Sequence, residues 1–316
     1  MSPETISTTN SLQEAWFQPM GFMLHLASNS AAIMQAGETS FRGFGPGRPT
    51  RSPDFSFRLF EHDIDDGAPG PAIFRKEGHL LYQSTGRDST LVADLITGTA
   101  IGYFSGPTLA NEAFFRWHFL ELALFQMLEA QGLMGVHGAA LVKNNKAVLL
   151  RAPSGGGKST LAFAGARARF KALAEDVVWL DGRRNLWWGM PWSVHLLPDA
   201  TLLFPELGSY VPALQINGEL KLEVNPEKIR PGGTAVSASP GPVVLVERVV
   251  NKESRLENIS QAEAFRMWHA ARTGLEMELP HHAPYIETLL QSDTYRLYSG
   301  NDIESSLTLL ETLFDE

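Results

Sequence analysis

A glycine-rich segment near the middle of the chain has residue types and spacing suited to phosphate binding. Its pattern, Ala152-x4-Gly157-Lys158-Ser159, is that of a P-loop with alanine in place of the first glycine. Glycines let the backbone turn several N–H groups toward one anion, while lysine reaches the β- and γ-phosphates and the serine hydroxyl ligates Mg²⁺. The segment therefore predicts a nucleotide site formed by Ser154, Gly155, Gly156, Gly157, Lys158, Ser159 and Thr160.

Two strands and one helix are predicted to position this segment. The apolar run at residues 147–150 predicts a buried strand that ends at the loop, and residues 158–170 have helical spacing. The N-terminus of that helix would add its positive dipole end to the anion site. Residues 136–142 predict a single strand that forms a hairpin with the loop strand. His137 therefore lies one hairpin before the loop and is a candidate to line the site.

Two acidic positions after the helix are candidates for the carboxylate that holds the metal. Asp181 follows the apolar run at residues 177–180, and a P-loop ordinarily takes its metal carboxylate from the end of a neighbouring strand. Glu175 and Asp176 end the preceding run at residues 172–174 and could pair one metal ligand with one proton acceptor. The general rule favours Asp181, and the residues alone leave both positions open.

The residues around the loop resemble the HPr kinase/phosphorylase family, whose P-loop core is shared with phosphoenolpyruvate carboxykinases. The resemblance rests on His137-Gly138 before the loop, on the hairpin spacing to Ala152, and on Ala174-Glu175-Asp176, where the family often has Ala-Asp-Asp. It covers about residues 111–316. The family motif Glu-x-Arg-Gly is not evident, and the nearest segment is Leu-Glu-Val-Asn at residues 222–225. In this respect the chain looks more like divergent relatives, some of which phosphorylate a serine of a biosynthetic peptide precursor.

The resemblance implies an α/β (α+β) fold with an HPr kinase/PEP carboxykinase-like P-loop core, and an enzyme that is an ATP-dependent phosphotransferase. The implied acceptor is a serine hydroxyl of a peptide or protein, and the implied cofactors are ATP and Mg²⁺. The implied catalytic residues are Asp176, His137 and Lys158, and the implied metal ligands are Ser159, Glu175 and Asp176, which favours Asp176 over Asp181. Other readings of the same loop are a non-catalytic nucleotide-binding regulator or scaffold and a small-metabolite kinase. The residues do not distinguish ATP from GTP.

The strand and helix patterns predict two domains. Residues 1–110 predict a small β-rich N-terminal module with a flexible N-terminus, and residues 111–316 predict the P-loop kinase-like domain. The module has five strand-like runs between residues 55 and 104, and residues 37–54, rich in glycine and proline, predict an exposed loop. A strong helix capped by Asn111 and ending near Gln131 would open the second domain.

Composition narrows the range of partners and compartments. The 316 residues carry a formal charge of −9 and no cysteine, which argues against nucleic-acid binding and excludes disulfides and thiolate metal sites. The longest apolar segment, residues 113–128, is interrupted by charged and polar side chains, so it is a poor membrane span. Without a signal-peptide pattern at the N-terminus, the expectation is a cytoplasmic protein with no membrane partner. Relatives of the resembled family often assemble, which implies a homo-oligomer.

Overall fold

The computed structural model describes residues 12–47, 52–63, 67–86, 89–215, 218–272, 282–291 and 293–314. Over these residues the chain has a mixed α/β fold, and it divides into two compact units, Met1–Gln131 and Gly132–Glu316. None of the helices within these ranges is long and apolar enough to cross a membrane.

The first unit is built on a seven-stranded sheet. Its elements are β1 (Gln13–Phe17), β2 (Leu24–Ser28), α1 (Ala31–Phe41), β3 (Phe55–His62), β4 (Ile73–Glu77), β5 (Leu80–Ser84), β6 (Thr90–Asp94) and β7 (Thr99–Ser105). The strand order is β1-β2-β3-β7-β6-β5-β4, with β2, β3 and β7 parallel and the other pairs antiparallel. The five strand runs predicted between residues 55 and 104 are confirmed as β3 to β7.

Helix α1 corrects the prediction of a loop over residues 37–54, because the helix includes the first five of them. The Ser30 side chain caps the helix by accepting a hydrogen bond from the backbone N–H of Ile33. Gly37 lies within the helix, and a Cβ there would come within 2.5 Å of Leu26 Cδ2. This glycine is therefore explained by close packing on the sheet, which its sequence context does not reveal. Residues 48–51 lie outside the described ranges.

The helix after the module belongs to the first unit, so the division lies later along the chain than the predicted boundary at 110/111. It consists of α2 (Gly106–Ala110), α3 (Glu112–Phe115), a π-helical segment (Arg116–Glu121) and α4 (Leu122–Ala130). Its aromatic side chains pack on the seven-stranded sheet: the ring of Phe104 lies 4.8 Å from both Phe115 and Phe119. Gln83 also donates a hydrogen bond to the carbonyl of His118.

The described residues of the second unit form three sheets. Its strands are β8 (Met134–His137), β9 (Ala139–Lys143), β10 (Lys146–Arg151), β11 (Lys171–Ala174), β12 (Val177–Asp181), β13 (Leu186–Trp188), β14 (Val194–Leu196), β15 (Ala213–Leu214), β16 (Leu220–Val224), β17 (Ser237–Ala238), β18 (Val243–Arg248), β19 (Arg255–Asn258) and β20 (Thr294–Ser299). The strand orders are β11-β9-β10-β18-β20-β19, β17-β13-β12-β8 and β14-β16-β15. The helices are α5 (Lys158–Ala168), α6 (Pro226–Ile229), α7 (Gln261–Ala270), α8 (Ala283–Leu289) and α9 (Ile303–Thr312).

The single strand predicted over residues 136–142 is wrong, because the chain changes sheets at Gly138. Before it, β8 pairs with β12 in the four-stranded sheet, and after it β9 pairs with β10 and β11 in the six-stranded sheet. A Cβ at position 138 would lie 2.9 Å from the carbonyl oxygen of Leu150. Glycine therefore lets the chain pass close to the end of β10 as it crosses.

The six-stranded sheet separates two hydrophobic cores. Residues of α5 and α9 pack with Val244 and Val246 in one core, whereas residues of α7 pack with Val243 and Leu245 in the other. Because side chains of a strand alternate between faces, β18 is apolar on both sides. The loop before α5 follows the buried strand β10, and its first residue, Ala152, packs in the first of these cores.

Candidate functional site

The glycine-rich segment lies between β10 and α5, in the order strand, loop and helix that its spacing predicts. Gly155 and Gly157 have φ of 77° and 90°, a backbone region that favours glycine. Gly156 is required for another reason, because a Cβ there would lie 2.6 Å from the Cβ of Ala152. The loop conformation therefore depends on all three glycines, and Ala152 packs against the middle one.

Lys158 begins α5 and is almost fully buried, with 6% of its surface exposed. Its Nζ donates hydrogen bonds to the carbonyl oxygens of Ala152, at 2.8 Å, and Pro153, at 3.4 Å. The ammonium group is thus held at the loop, next to the place where an anion would bind. Ser154 and Gly155 are exposed at the loop tip, and Thr160 lies half-buried in the first turn of the helix.

Ser159 meets the first of the two consecutive carboxylates. Its hydroxyl donates a hydrogen bond to Glu175 Oε1. The other oxygen of Glu175 accepts a hydrogen bond from the backbone N–H of His195 at 3.2 Å and lies 3.5 Å from the Nδ1 atom of the same residue. Glu175 is buried, so these donors replace the water that a carboxylate would otherwise bind.

Asp176 meets His137, the histidine predicted to line the site. Its Oδ1 lies 3.0 Å from His137 Nδ1, and its carbonyl accepts a hydrogen bond from the backbone N–H of Gly138 at 2.9 Å. The contact arises because the chain passes between the four-stranded and the six-stranded sheet both at Gly138 and between β11 and β12. The side chain of Asp176 is 59% exposed, whereas that of Glu175 is 9% exposed.

The charges of the site lower the pKa of Asp176 and raise the pKa of His195. Desolvation acts to raise the pKa of Asp176, but the hydrogen bond and charge of His137, with the charges of His195 and Lys221, hold it below the ordinary value. Desolvation acts to lower the pKa of His195, but Glu175, Glu223 and Asp176 together raise it. Asp176 is therefore ionised at neutral pH.

Asp181, the other candidate for the metal carboxylate, lies apart from this group. It ends β12, whereas Asp176 precedes the start of that strand, so about 16 Å of extended chain separates them. Its carboxylate accepts hydrogen bonds from the backbone N–H groups of Arg183 and Arg184 and from the Arg184 guanidinium, at 3.1 to 3.3 Å. Asp181 thus holds the turn that joins β12 to β13.

Two side chains of the site have no counterpart in the sequence prediction. His195 comes from β14, a short strand that the sequence does not predict. Arg151 ends β10, is completely buried, and donates hydrogen bonds to the carbonyls of His137 and Trp268 at 3.2 to 3.3 Å. The sequence does contain one signal for Arg151: it is an arginine at the end of an apolar strand. A charged side chain at such a position is buried only where it has hydrogen-bond acceptors.

Trp187, on the strand next to β12, has a structural role. It is fully buried in the second core and donates a hydrogen bond to the Tyr285 hydroxyl at 3.2 Å. Within the described part of the chain, no group of three or more His, Asp or Glu side chains could hold a metal ion alone.

Comparisons with known proteins assign no family to this chain. No protein-family model matches the chain, and a comparison with curated proteins finds no match. Among solved structures, the HPr(Ser) kinase/phosphatase from Coxiella burnetii is similar at 15% identity and a TM-score of 0.24. The matched region covers 49% of this chain and 93% of that one. A TM-score of this size does not establish a shared fold.

Proposed function

We propose that the chain is an ATP-dependent, Mg²⁺-requiring kinase that transfers the γ-phosphoryl group to a serine hydroxyl of a peptide or protein. One observation carries the proposal: Ser159, which follows Lys158 in the first turn of α5, contacts the first of two consecutive carboxylates with different surroundings. Glu175 is buried and contacts Ser159, whereas Asp176 is exposed and contacts His137. This difference suits Glu175 to hold a metal ion and Asp176 to accept a proton from a bound acceptor.

The residues present fit the groups that the reaction needs. Ser159 and Glu175 offer a hydroxyl and a carboxylate, which are hard oxygen donors of the kind Mg²⁺ prefers. Two protein donors are sufficient, because Mg²⁺ at kinase sites usually takes its remaining ligands from phosphates and water. Gly155 and Gly157 have positive φ and carry no side chain. The space around each is open, because a Cβ there would meet no atom within 4 Å. An anion can therefore approach the backbone N–H groups of the loop.

Each residue would have a separate task in the transfer. Lys158 and the amides of the loop would bind the β- and γ-phosphates, and Ser159 with Glu175 would hold Mg²⁺, which neutralises phosphate charge when bound. Asp176 would accept the proton of the acceptor hydroxyl while the hydroxyl oxygen bonds to the γ-phosphorus and the bond to the ADP oxygen breaks. His137, 3.0 Å from the carboxylate, would keep Asp176 oriented.

The exposure of Asp176 also bears on the type of acceptor. A side chain that is 59% exposed can be reached by a hydroxyl on another macromolecule, as the transfer to a peptide or protein requires. The serine itself and the peptide class come from the family resemblance.

Two substitutions with matched controls test the proposal. Lys158→Ala should abolish phosphoryl transfer while the folded protein persists, since charge stabilisation at the phosphates is the main catalytic contribution. Asp176→Asn should stop transfer and leave nucleotide binding close to the wild-type value, which would separate a kinase from a nucleotide-binding regulator. Lys252→Ala and Asp199→Asn change exposed residues and should be neutral in both assays.

The acceptor can be sought by mass spectrometry after incubation with ATP and Mg²⁺. Candidate acceptors include peptides encoded near the gene for this chain, and a phosphoserine on one of them would identify both reaction and substrate. Wild-type transfer by the Lys158→Ala variant would refute the assignment.

A further inference from the structure

We infer that His195 is a positioning residue that holds Glu175 toward Ser159, and that Ser193 and Glu223 fix the orientation of its ring. The inference rests on the proposed function, because Glu175 matters through the Mg²⁺ that it would hold with Ser159. It is supported by a continuous series of contacts from Ser159 of α5 to Glu223 of β16.

The contacts begin at the buried carboxylate. Glu175 uses Oε1 to accept from the Ser159 hydroxyl and Oε2 to accept from the backbone N–H of His195. The Nδ1 atom of the His195 ring lies 3.5 Å from the same Oε2. The backbone N–H would remain whatever the side chain at position 195, so the ring is the part of this support that a substitution removes.

The contacts continue on the other side of the ring. His195 Nε2 lies 3.4 Å from Ser193 Oγ, and that hydroxyl donates a hydrogen bond to Glu223 Oε1 at 3.0 Å. Because the hydroxyl proton is directed to Glu223, the oxygen of Ser193 is left to accept from Nε2. The ring is therefore held between two acceptors, Glu175 Oε2 on one side and Ser193 Oγ on the other.

The small sheet fixes where these side chains face. His195 of β14 is the direct cross-strand partner of Glu223 of β16. The neighbours of each along its strand, Val194, Leu196, Leu222 and Val224, are all buried in the first core. Since successive side chains of a strand point to opposite faces, His195 and Glu223 must share the other face, which adjoins Glu175. The apolar packing of β14 thus determines the position of the histidine.

The consequence is a specific effect on metal-dependent binding. Residues that orient a metal ligand typically change metal affinity by about 10- to 100-fold when they are replaced. Loss of the His195 ring leaves Glu175 with one donor fewer at Oε2, so the carboxylate can turn away from Ser159. We expect a loss of about tenfold in the contribution of Mg²⁺ to ATP affinity, with little change in the affinity for ATP without metal.

The test compares three substitutions of His195 and one of Ser193 by isothermal titration calorimetry with ATP, in Mg²⁺ and in EDTA. His195→Asn retains a nitrogen close to the position of Nδ1, His195→Gln retains one close to Nε2, and His195→Leu retains neither. The inference expects His195→Asn to bind MgATP like wild type, and the other two to bind it about tenfold more weakly. Ser193→Ala should give a smaller loss, because it removes only the outer support of the ring.

Wild-type MgATP affinity in His195→Leu would overturn the inference, as would equal losses in His195→Asn and His195→Gln. Equal weakening with and without Mg²⁺, with a lower melting temperature, would also overturn it, because the histidine would then support the fold alone. The assay needs no turnover. A wild-type protein that binds MgATP but phosphorylates no acceptor would refute the kinase proposal, while the pattern among these variants would still decide the role of His195.

Discussion

A buried glutamate in the first unit provides a prediction whose magnitude follows from the structure. Glu129 of α4 is 8% exposed, and its Oε2 accepts a hydrogen bond from Gln126 Nε2 at 2.8 Å. Gln126 in turn accepts a hydrogen bond from Lys76 Nζ of β4 at 3.1 Å. Burial raises the pKa of Glu129 from 4.5 to about 7, although the Lys76 charge and the Gln126 hydrogen bond act against this increase.

This pKa sets the direction and size of the effect on stability. A pKa that folding raises stabilises the native state fully below the unfolded value of 4.5, and the contribution disappears as the pH rises through about 7. At 1.36 kcal/mol per pKa unit, the difference amounts to about 3 kcal/mol. The substitution Glu129→Gln keeps the shape and an acceptor oxygen but carries no charge. The variant should therefore be more stable than wild type at pH 8, by about 3 kcal/mol at most, and should lose this advantage below about pH 5.

Differential scanning calorimetry of the full chain at pH 5, 6, 7 and 8 would measure this difference. The test uses the difference in free energy of unfolding between wild type and Glu129→Gln, and how this difference changes with pH. All other titrating groups are common to both proteins, so their effects cancel. Glu112→Gln, at an exposed position in the preceding helical segment, is the matched control. If the difference between Glu129→Gln and wild type were the same at pH 5 and pH 8, the buried carboxyl would not have a raised pKa.

Three further substitutions test the second unit. Arg151→Met should lower the free energy of unfolding by about 3 kcal/mol in urea denaturation, because it leaves the carbonyls of His137 and Trp268 without a buried donor. Gly138→Ala should lower it by about 1 to 3 kcal/mol through the clash with the carbonyl of Leu150, and circular dichroism melts would detect this. Asp181→Asn should lower the melting temperature through the turn after β12, while ATP affinity in calorimetry stays at the wild-type value. A large loss of ATP affinity in that variant would contradict the placement of Asp181 away from the loop.

Local patterns were sufficient for the elements on each side of the glycine-rich loop. β10 and α5 are confirmed, because each depends on a short run of residues whose apolar spacing is regular. The chain crossing at Gly138 was not predicted, since residues 136–142 are mostly apolar on both sides of that glycine. Only the close approach of the Leu150 carbonyl, which lies in a later strand, explains the break.

His195 could not be found from the sequence for a similar reason. Its strand, β14, has three residues, which is too short for an alternating pattern to stand out. Its contact with Glu175 joins positions twenty residues apart, one in the three-stranded sheet and the other in the crossing between β11 and β12. A lone histidine in a sequence is more often structural than functional, so its identity carries little weight before its neighbours are known.

The faces of the strands explain why the general rule for the metal carboxylate selects Asp181 and why the structure separates it from the loop. The rule assumes a parallel neighbour whose end lies beside the end of the loop strand, yet β12 belongs to another sheet and pairs antiparallel with β8. The parallel neighbour of β10 is β18, and its acidic residue is Glu247. Because side chains alternate along a strand, Glu247 lies on the same face of the sheet as Leu245, opposite α5. There its Oε2 accepts a hydrogen bond from Arg296 Nε at 3.0 Å. Neither strand end therefore offers a carboxylate to Ser159, and the crossing between β11 and β12 supplies Glu175 instead.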